Sequence, residues 1–283
     1  MKKEPSLKLG LIGDNIMRSK SPLLHRLAGA QNGLAVQYDR LIPKDMGEDF
    51  DTVFDMCASH GYRGINVTYP YKERAARKVV IEDPLVRAIG AVNTVLFEAR
   101  GAIGQNTDYT GFVAAYRAAR GDVEPGIACL IGTGGVGRAL AFGLIALGAS
   151  EIRLVDKEAA KAEALADDMR KTGRAQKIAV FSDTSSAAAG ATGLLNATPI
   201  GMVGYEGTPL QASAMRGAQW AFDAVYTPVD TQFLLDAEAA HLAVISGYEL
   251  FFHQGVHAWS HFSGLPLDAA RLRAELLQQE EVA

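Results

Sequence analysis

A lysine follows a strand-like segment in the stretch Asn66-Val67-Thr68-Tyr69-Pro70-Tyr71-Lys72. The run from Tyr62 to Val67 is largely apolar, which predicts a buried strand. Ligands of open α/β sheets gather at the carboxyl ends of strands, so Lys72 is a candidate for ligand binding or proton transfer. The alternative interpretation is a strand that runs into a polar loop with a solvated lysine.

A glycine-rich turn offers a second kind of chemistry. Gly132-Thr133-Gly134-Gly135-Val136-Gly137 follows the short apolar run Ile127 to Ile131 and opens a helical pattern. In that setting the G-x-G-x-x-G pattern predicts a dinucleotide site, because the glycines permit a tight turn and a close approach of the pyrophosphate. The helix N-terminus supplies free N–H groups, and Arg138 could add a positive charge. The alternative is a purely structural turn.

The type of dinucleotide is indicated by the next strand, Ile152 to Asp156. Asp156 stands at about the spacing at which an acid receives the ribose 2′-hydroxyl. A carboxylate accepts hydrogen bonds from a diol and repels a 2′-phosphate, and the neighbouring Lys157 weakens that repulsion without reversing it. The sequence therefore favours NAD over NADP, unless Asp156 is only a solvated residue at a strand end.

The elements that would position these groups alternate between strand and helix, which predicts parallel pairing in an α/β layer fold. Glu48 to His60 has apolar residues at helical spacing, and Gly61 is placed to end that helix. The further strand predictions are Leu7 to Gly13, Ala35 to Ile42, Val92 to Phe97, Ile178 to Phe181, Gly193 to Asn196, Trp220 to Val225 and Ala243 to Ser246. The further helix predictions are Ser21 to Asn32, Val136 to Leu147, Ala159 to Ala166, Leu250 to Phe262 and Leu267 to Leu277.

Length and composition limit the class of protein. A chain of 283 residues suggests two domains, and 48% hydrophobic with 21% charged residues is ordinary for a globular protein. The net charge of −4 gives no electrostatic signature of a nucleic-acid or membrane partner. Two cysteines and the lack of an apolar signal core near the N-terminus predict a cytoplasmic protein. Nothing in the sequence specifies an oligomeric state.

Taken together, the motifs resemble those of the shikimate dehydrogenase family, including its quinate/shikimate branch. The resemblance runs from Leu9 to about Leu265 and rests on ordered pieces that are specific in combination. The pieces are Ser19-Lys20-Ser21-Pro22, Asn66-Val67-Thr68 with Pro70 and Lys72, Gly90-Ala91-Val92-Asn93-Thr94, Gly104-Gln105-Asn106-Thr107-Asp108 with Gly111, the glycine-rich turn, Asn196-Ala197-Thr198-Pro199-Ile200-Gly201-Met202, Asp223-Ala224-Val225-Tyr226-Thr227-Pro228, and Gln254.

The resemblance implies an α/β fold of two domains with a deep cleft between them. An N-terminal substrate-binding catalytic domain, residues 1–108, would be completed by C-terminal helices in residues 248–283. Residues 109–247 would form a Rossmann domain that binds the dinucleotide. The small-molecule substrate would be a cyclic hydroxy acid, and neither nucleic acid nor membrane would be a partner.

The resemblance also implies a role for each matching residue. Lys72 and Asp108 would be the catalytic pair. The substrate carboxylate would be held by Ser19 and Ser21 with help from Tyr226, and the ring hydroxyls would face Thr68, Lys72, Asn93, Asp108 and Gln254. The cofactor-binding residues would be Gly132, Gly134, Gly135, Val136, Gly137, Asp156, Thr198, Pro199, Met202, Val225 and Gly247.

The chemistry of these residue types agrees with an alcohol dehydrogenase. Oxidation of a secondary alcohol needs a proton acceptor as hydride leaves for the nicotinamide, and a lysine serves if partial burial lowers its pKa. Asp108 would stabilise the ammonium, so its stronger contribution would be to fix the amine and a neighbouring hydroxyl. The lysine and aspartate also argue against a non-catalytic sensor, the alternative from another class of protein.

Two details refine the choice of cofactor and substrate. Many family members carry a basic or polar triplet after the second Rossmann strand, whereas this chain has Asp156-Lys157-Glu158, so NADP is less expected than NAD. Some quinate users carry Thr at the second serine position, and Ser21 keeps the form associated with shikimate. The expected reaction is reversible NAD-linked oxidation of shikimate to 3-dehydroshikimate, with quinate or a related cyclic hydroxy acid as the alternative.

A stripe of histidines could suggest a metal instead. His253, His257 and His261 recur every four residues and share one face of a predicted helix. There is no HExxH pattern, and the expected chemistry needs no metal. The stripe is therefore interpreted as packing and surface histidines, with no metal predicted.

Overall fold

The chain divides into two units in a computed structural model that describes residues 6–173 and 177–281. The first unit contains the described residues up to Thr107 and those from Gln254 onward. The second unit runs from Asp108 to His253. In the described part of the chain, no helix has both the length and the apolarity to cross a membrane.

The first unit is built on a mixed five-stranded sheet in the order β2-β1-β3-β4-β5. Its elements up to the end of the sheet are β1 (Ser6–Ile12), α1 (Ser21–Ala30), β2 (Ala35–Leu41), α2 (Pro43–Met46), α3 (Phe50–Ser59), β3 (Gly64–Val67), α4 (Lys72–Ala76), α5 (Pro84–Ile89), β4 (Thr94–Glu98) and β5 (Gly101–Gln105).

Strand direction changes within this sheet. β1 pairs in parallel with β2 and β3, as the alternation of strands and helices predicts. β4 runs antiparallel to both β3 and β5, so the prediction of parallel pairing is wrong for this strand. The reason is a hairpin: only Ala99 and Arg100 separate β4 from β5, and so short a connection forces antiparallel pairing.

Helix α3 shows how the apolar spacing becomes packing. Asp49 caps the helix by accepting a 2.8 Å hydrogen bond from the Thr52 N–H. The apolar face of α3 packs against core residues of β1 and β3 through Phe50, Val53, Phe54 and Cys57. Gly61 follows the C-cap His60 with φ of +75°, a conformation that glycine adopts without steric cost. The predicted helix and its end are confirmed.

The second unit contains a fully parallel six-stranded sheet in the order β11-β10-β9-β6-β7-β8. Its elements are α6 (Thr107–Arg120), β6 (Ile127–Ile131), α7 (Gly135–Ala146), β7 (Glu151–Val155), α8 (Ala159–Arg170), β8 (Lys177–Phe181), α9 (Thr184–Ala188), β9 (Gly193–Asn196), a 3₁₀ turn (Ala212–Met215), β10 (Trp220–Asp223), α10 (Gln232–Ala239) and β11 (Ala243–Ile245).

This strand order is that of a doubly wound dinucleotide-binding fold. Counted along the unit, β6 is the first strand and β9 the fourth, and the two are neighbours in the sheet. Chain direction across the sheet reverses between them, and ligands of such sheets bind at the carboxyl ends of the strands at that point. The glycine-rich turn follows β6 and the Thr198 segment follows β9, so both lie at this edge.

Two further helices follow β11 in the described part of the chain. α11 (Gly247–Ser263) begins in the second unit and ends in the first, and α12 (Ala269–Glu281) follows it. In the first unit, Ala258 and Phe262 of α11 pack against Leu9 and Tyr38 of the sheet. A Cβ on Gly64 would lie 2.6 Å from the Phe262 ring, so glycine is what lets this helix approach β3. The two predicted C-terminal helices are confirmed.

Candidate active site

Three predicted site residues of the first unit follow the carboxyl ends of parallel strands. Ser19 lies in the loop after β1, and Thr68 and Lys72 follow β3. The Thr68 N–H donates to the Ile12 carbonyl at 2.9 Å, which ties the two loops together. A Cβ on Gly13 would collide with the Thr68 side chain, so a glycine is required at this close approach.

Ser19 and Ser21 form a small polar pair at the start of α1. The Ser19 hydroxyl donates to the Ser21 Oγ at 3.2 Å and accepts from the Ser21 N–H at 3.3 Å. Pro22 has no N–H to offer in the first helical turn. The two hydroxyls therefore lie at a helix N-terminus, whose partial positive charge favours an anionic group.

Asn93 is held in one orientation by its neighbours. Its Oδ1 accepts from the Thr107 N–H at 2.7 Å and lies 3.1 Å from the hydroxyls of Thr94 and Thr107. Its Nδ2 donates to the Thr107 hydroxyl at 3.0 Å. Gln254 Oε1 lies 3.5 Å from the same Thr107 hydroxyl, which places this predicted site residue in the cluster. Asn93 and Gln254 are thus brought together through Thr107.

A second row of buried polar groups supports Asn93 from behind. Asn66 donates through Nδ2 to the Asn93 carbonyl at 3.2 Å and to the Thr94 hydroxyl at 3.1 Å. Its Oδ1 accepts from the Tyr38 hydroxyl at 2.8 Å. Asn66 thus satisfies three buried groups, and the loss of such a partner leaves buried polar atoms unpaired.

Lys72 and Asp108, the predicted catalytic pair, both lie in the first turn of a helix. Lys72 is the first residue of α4 in the first unit and is only 7% exposed, and its carbonyl accepts from the Val92 N–H at 2.9 Å. Asp108 lies in the first turn of α6, at the start of the second unit, and is 6% exposed. A carboxylate near a helix N-terminus is favoured by the free N–H groups there.

The glycine-rich turn has the geometry that the dinucleotide pattern predicts. Gly132 has φ of +96°, and a Cβ at this position would crowd the Ala197 backbone. A Cβ on Gly137 would collide with the Gly132 carbonyl oxygen, so the last glycine serves close packing of helix and turn. A Cβ on Gly134 would meet nothing within 4 Å. The open space lies over the middle of the turn, where a pyrophosphate would approach.

Asp156 is connected directly to this turn. Its Oδ2 accepts from both the N–H and the hydroxyl of Thr133, each at 2.8 Å, and its Oδ1 accepts from the Glu158 N–H at 2.9 Å. Burial would raise the pKa of Asp156, but the hydrogen bonds from Glu158 and Thr133 outweigh it and hold the pKa below its usual value. The carboxylate is therefore charged at neutral pH and keeps unused lone pairs for a diol.

Behind β9 and β10, a buried acid holds the segment that contains Thr198, Pro199 and Met202. The Thr198 N–H and hydroxyl both donate to Asn196 Oδ1, at 2.9 and 2.7 Å. Asn196 Nδ2 donates to Asp223 Oδ1 at 2.9 Å, and the Thr231 hydroxyl donates to Asp223 Oδ2 at 2.6 Å. Burial raises the pKa of Asp223 to about 6, although these hydrogen bonds oppose the rise.

The remaining predicted residues of the second unit lie at the junction of β10 and α11. A Cβ on Gly247 would collide with the Val225 carbonyl, so only glycine lets α11 begin this close to that loop. Tyr226 stacks on Phe251 with ring centroids 5.1 Å apart. Val225 and Gly247 are thus brought together by the backbone, and the Tyr226 ring is held by an aromatic neighbour.

Some residues that support these sites are not assigned a role by the sequence motifs. Asn66 stands in a quoted motif without an assigned role, and Arg40, whose guanidinium donates to the Ser19 carbonyl at 2.8 Å, is in none. The available signal for Arg40 is its position near the end of a strand, like that of Lys72. Arg138, expected to add charge at the turn, forms an ion pair with Asp168 at 2.7 Å.

The histidine stripe of α11 has an acidic neighbour but no metal-binding cluster. His253 Nε2 lies 3.7 Å from Glu249 Oε2, one turn earlier. His261 is exposed, although partial burial of its ring lowers its pKa. Across residues 6–173 and 177–281, no three His, Cys, Asp or Glu side chains are placed to hold a metal ion.

Fold and sites together define an α/β oxidoreductase with a Rossmann dinucleotide-binding unit. Known proteins that are similar to this chain identify the family of oxidoreductases. Residues 11–95 match the model of the shikimate dehydrogenase substrate binding domain. Residues 127–203 match a model described as NADP oxidoreductase coenzyme F420-dependent.

Whole-length relatives give the family. A quinate/shikimate dehydrogenase (NAD(+)) from Corynebacterium efficiens is 34% identical over 96% of this chain and 98% of the relative. A shikimate dehydrogenase (NADP(+)) from an Arthrobacter species is 33% identical over 98% and 97%. The structure of quinate dehydrogenase from Corynebacterium glutamicum in complex with NAD superposes with a TM-score of 0.88, at 32% identity, over 97% of this chain and 99% of the other. The chain belongs to the shikimate dehydrogenase family, and the predicted family, fold class and class of enzyme are confirmed.

Proposed function

We propose that this protein catalyses the reversible NAD-linked oxidation of shikimate to 3-dehydroshikimate. The observation that carries the proposal is a buried lysine next to a cluster of polar side chains that are already hydrogen-bonded to one another. Lys72 is 7% exposed, and its carbonyl is hydrogen-bonded to the residue before Asn93. When bound, the nicotinamide would take the hydride from the alcohol carbon, and the protein would position the alcohol and receive its proton.

In this proposal Lys72 is the proton acceptor and Asp108 its partner. A lysine amine held at the reacting hydroxyl can accept its proton as the hydride leaves and return it in the reverse reaction. Asp108 would fix the amine and a neighbouring ring hydroxyl in place. That positioning is a contribution that general acid–base groups need in addition to a suitable pKa.

The polar groups of the first unit would bind the ring. Asn93 uses its Oδ1 and one Nδ2 hydrogen within the cluster, which leaves one N–H to donate to a substrate hydroxyl. Gln254 and Thr68 would complete the contacts to the hydroxyls. Ser19 and Ser21 would hold the carboxylate, with Tyr226 assisting. Residues 1–108 with the C-terminal helices would thus be the substrate-binding part.

The second unit would hold the cofactor. The open space above Gly134 would receive the pyrophosphate, and the free N–H groups at the start of α7 would donate to it. Asp156 would accept from the adenosine ribose hydroxyls and repel a 2′-phosphate, which favours NAD. The C. efficiens relative is named an NAD(+) enzyme, and the C. glutamicum structure contains NAD. Gly132, Gly135, Val136, Gly137, Thr198, Pro199, Met202, Val225 and Gly247 would form the rest of this site.

Quinate is the second candidate substrate. The two relatives that favour it are named quinate/shikimate dehydrogenase and quinate dehydrogenase. Quinate has one more hydroxyl on the carboxylate-bearing carbon, and it would need room beside Ser19 and Ser21. Ser21 keeps the residue type associated with shikimate users, which supports shikimate as the better substrate.

A turnover assay on the purified chain tests the proposal against a non-catalytic sensor. Reduction of NAD in the presence of shikimate is followed by the absorbance of NADH, and binding of shikimate is measured in parallel. Turnover supports the enzyme. Binding of shikimate and NAD without any turnover would overturn the proposal in favour of a sensor.

A further inference from the structure

Arg40 stands beside the proposed carboxylate site although no motif includes it. It lies on β2, opposite Leu11 of the neighbouring parallel strand β1. β1 leads directly into the loop that carries Ser19, so the carboxyl ends of the two strands bring Arg40 to this loop. Its guanidinium Nη2 donates to the Ser19 carbonyl at 2.8 Å.

The charge of Arg40 is not neutralised locally. In the described part of the chain, no carboxylate forms an ion pair with this guanidinium. The adjacent acid, Asp39, instead accepts from the Tyr62 hydroxyl at 2.6 Å and from Gln37 at 3.0 Å. Successive residues of a strand point to opposite faces, which separates the Asp39 carboxylate from Arg40.

The contact with Ser19 has two consequences for the hydroxyl pair. It fixes the peptide of Ser19, whose side chain bonds to both the N–H and the hydroxyl of Ser21. It also compensates the negative end of the Ser19 carbonyl dipole, which would otherwise lie near an incoming anion. A hydrogen bond from a charged donor is stronger than one from a neutral donor, so this peptide is held firmly.

We propose that Arg40 is a specificity-determining residue: through the Ser19 carbonyl it positions the Ser19–Ser21 pair and supplies the positive charge that selects a carboxylate. The inference rests on the proposed function, because it assumes that this pair receives the substrate carboxylate. Two neutral hydroxyls distinguish an acid from its ester weakly, whereas a nearby cation attracts only the charged form.

Three variants separate charge from geometry. Arg40→Gln removes the charge and keeps an N–H donor, and Arg40→Lys keeps the charge. Arg87→Gln is a matched control, because exposed Arg87 also makes one side-chain contact with a backbone carbonyl, that of Ile81 at 2.7 Å. Each protein is assayed with NAD and either shikimate or shikimate methyl ester, the ester also being tested as a competitive inhibitor.

The expected result is a selective loss for the acid. Arg40→Gln should raise KM for shikimate about three- to tenfold at low salt, the scale of a partly screened charge pair, with kcat little changed. The methyl ester should show no such change in KM or in inhibition constant. Arg40→Lys should retain most of the affinity for the acid, and Arg87→Gln should behave as the wild type. The KM of the wild type for shikimate should also rise more steeply with salt than that of Arg40→Gln.

Other outcomes overturn the proposal. An equal rise in KM for acid and ester would mean that Arg40 has only a structural role, as would Arg40→Lys behaving like Arg40→Gln. If the Arg40→Gln variant has the KM and the salt dependence of the wild type, Arg40 has no role in binding the carboxylate. Thermal unfolding of each variant verifies folding. Absence of turnover in the wild type contradicts the proposed function itself, which is a separate result, and binding of the acid and the ester then tests Arg40 by the same comparison.

Discussion

Asp156 and Thr133 are joined by two hydrogen bonds of 2.8 Å, one from the Thr133 N–H and one from its hydroxyl. The acid at the end of β7 is therefore part of the glycine-rich turn that follows β6, although 23 positions separate the two residues. The hydrogen bonds keep the carboxylate ionised and point it toward the turn. One residue thus links the shape of the phosphate-binding turn to the charge that the ribose would meet.

Replacement of Asp156 should change the preference for NAD over NADP. Asp156→Ser should lower kcat/KM with NAD about tenfold or more, because a charged acceptor for the ribose hydroxyls is lost. It should raise kcat/KM with NADP, because the repulsion of the 2′-phosphate is relieved. The measurement is the ratio of kcat/KM for the two cofactors.

Thr133→Val is the control for the structural part of that change. This substitution removes the hydrogen bond from the Thr133 hydroxyl to Asp156 and keeps the carboxylate. It should therefore lower kcat/KM with NAD and kcat/KM with NADP by similar factors. If Thr133→Val shifts the cofactor ratio as far as Asp156→Ser does, the shape of the turn decides the preference and the charge does not.

Two glycines of the turn should respond differently to alanine. A Cβ on Gly137 would strike the Gly132 carbonyl, so Gly137→Ala should lower Tm. A Cβ on Gly134 meets open space at φ of −71°, so Gly134→Ala should leave Tm unchanged. It should nevertheless raise Kd for NAD about tenfold or more, since a methyl group would occupy the approach of the pyrophosphate. Calorimetric binding with unfolding of the same samples tests this. Wild-type NAD affinity in Gly134→Ala would place the pyrophosphate elsewhere.

His25 should give the fold a dependence on pH. The ring is buried between Tyr38 and Phe262, and burial lowers its pKa from 6.5 to about 3, although the interaction with the Asn66 side chain opposes that shift. Between these two pH values, His25 therefore binds a proton in the unfolded chain and not in the folded chain. The stabilisation is complete above pH 6.5 and is lost as the pH falls toward 3, by about 2 kcal/mol between pH 7.5 and pH 5.0.

His25→Phe should remove this contribution, because phenylalanine keeps the aromatic packing and cannot titrate. The free energy of unfolding is measured with urea at both pH values for wild type and variant. The wild type should lose about 2 kcal/mol more than the variant. Asp223 acts in the opposite direction, since its raised pKa favours the folded state as pH falls below about 6, but it is present in both proteins and cancels. Equal losses in the two proteins would contradict the prediction.

Lys72 should affect turnover far more than affinity. Lys72→Ala should lower kcat about 100-fold or more, the usual scale for a general acid–base group, with a smaller change in the Kd of shikimate. Asp108→Ala should also lose turnover, and the double variant should lose less than the product of the two single losses. A Lys72→Ala enzyme with nearly wild-type kcat and only a raised KM would show that Lys72 binds substrate without transferring the proton.

The sequence predicts well those features that depend on neighbouring residues. The apolar spacing of α3, its end at Gly61 and the turn after β6 follow from local periodicity and backbone conformation. β5 is not predicted, because Gly101 and Gly104 give it little strand character and its edge position is set by the hairpin with β4. The antiparallel pairing of β4 with β5 follows from that same hairpin.

The contacts that support the site residues cannot be predicted from the sequence for a different reason. Arg40 reaches Ser19 across 21 positions, and Asn66 reaches Tyr38 across 28, through a sheet whose register no single segment specifies. A polar residue near a strand end marks such a position, yet its partner depends on which strands become neighbours. The same holds for Arg138, whose pairing with Asp168 requires α7 and α8 to pack together.

The most direct test of the central claim is kcat/KM for the four combinations of NAD or NADP with shikimate or quinate. The highest value is expected for NAD with shikimate, because Asp156 excludes a 2′-phosphate and Ser21 keeps the residue type associated with shikimate. One crowded or unpaired hydroxyl corresponds to about a tenfold to hundredfold preference. A higher kcat/KM with NADP, a higher value for quinate, or no turnover of shikimate would contradict it.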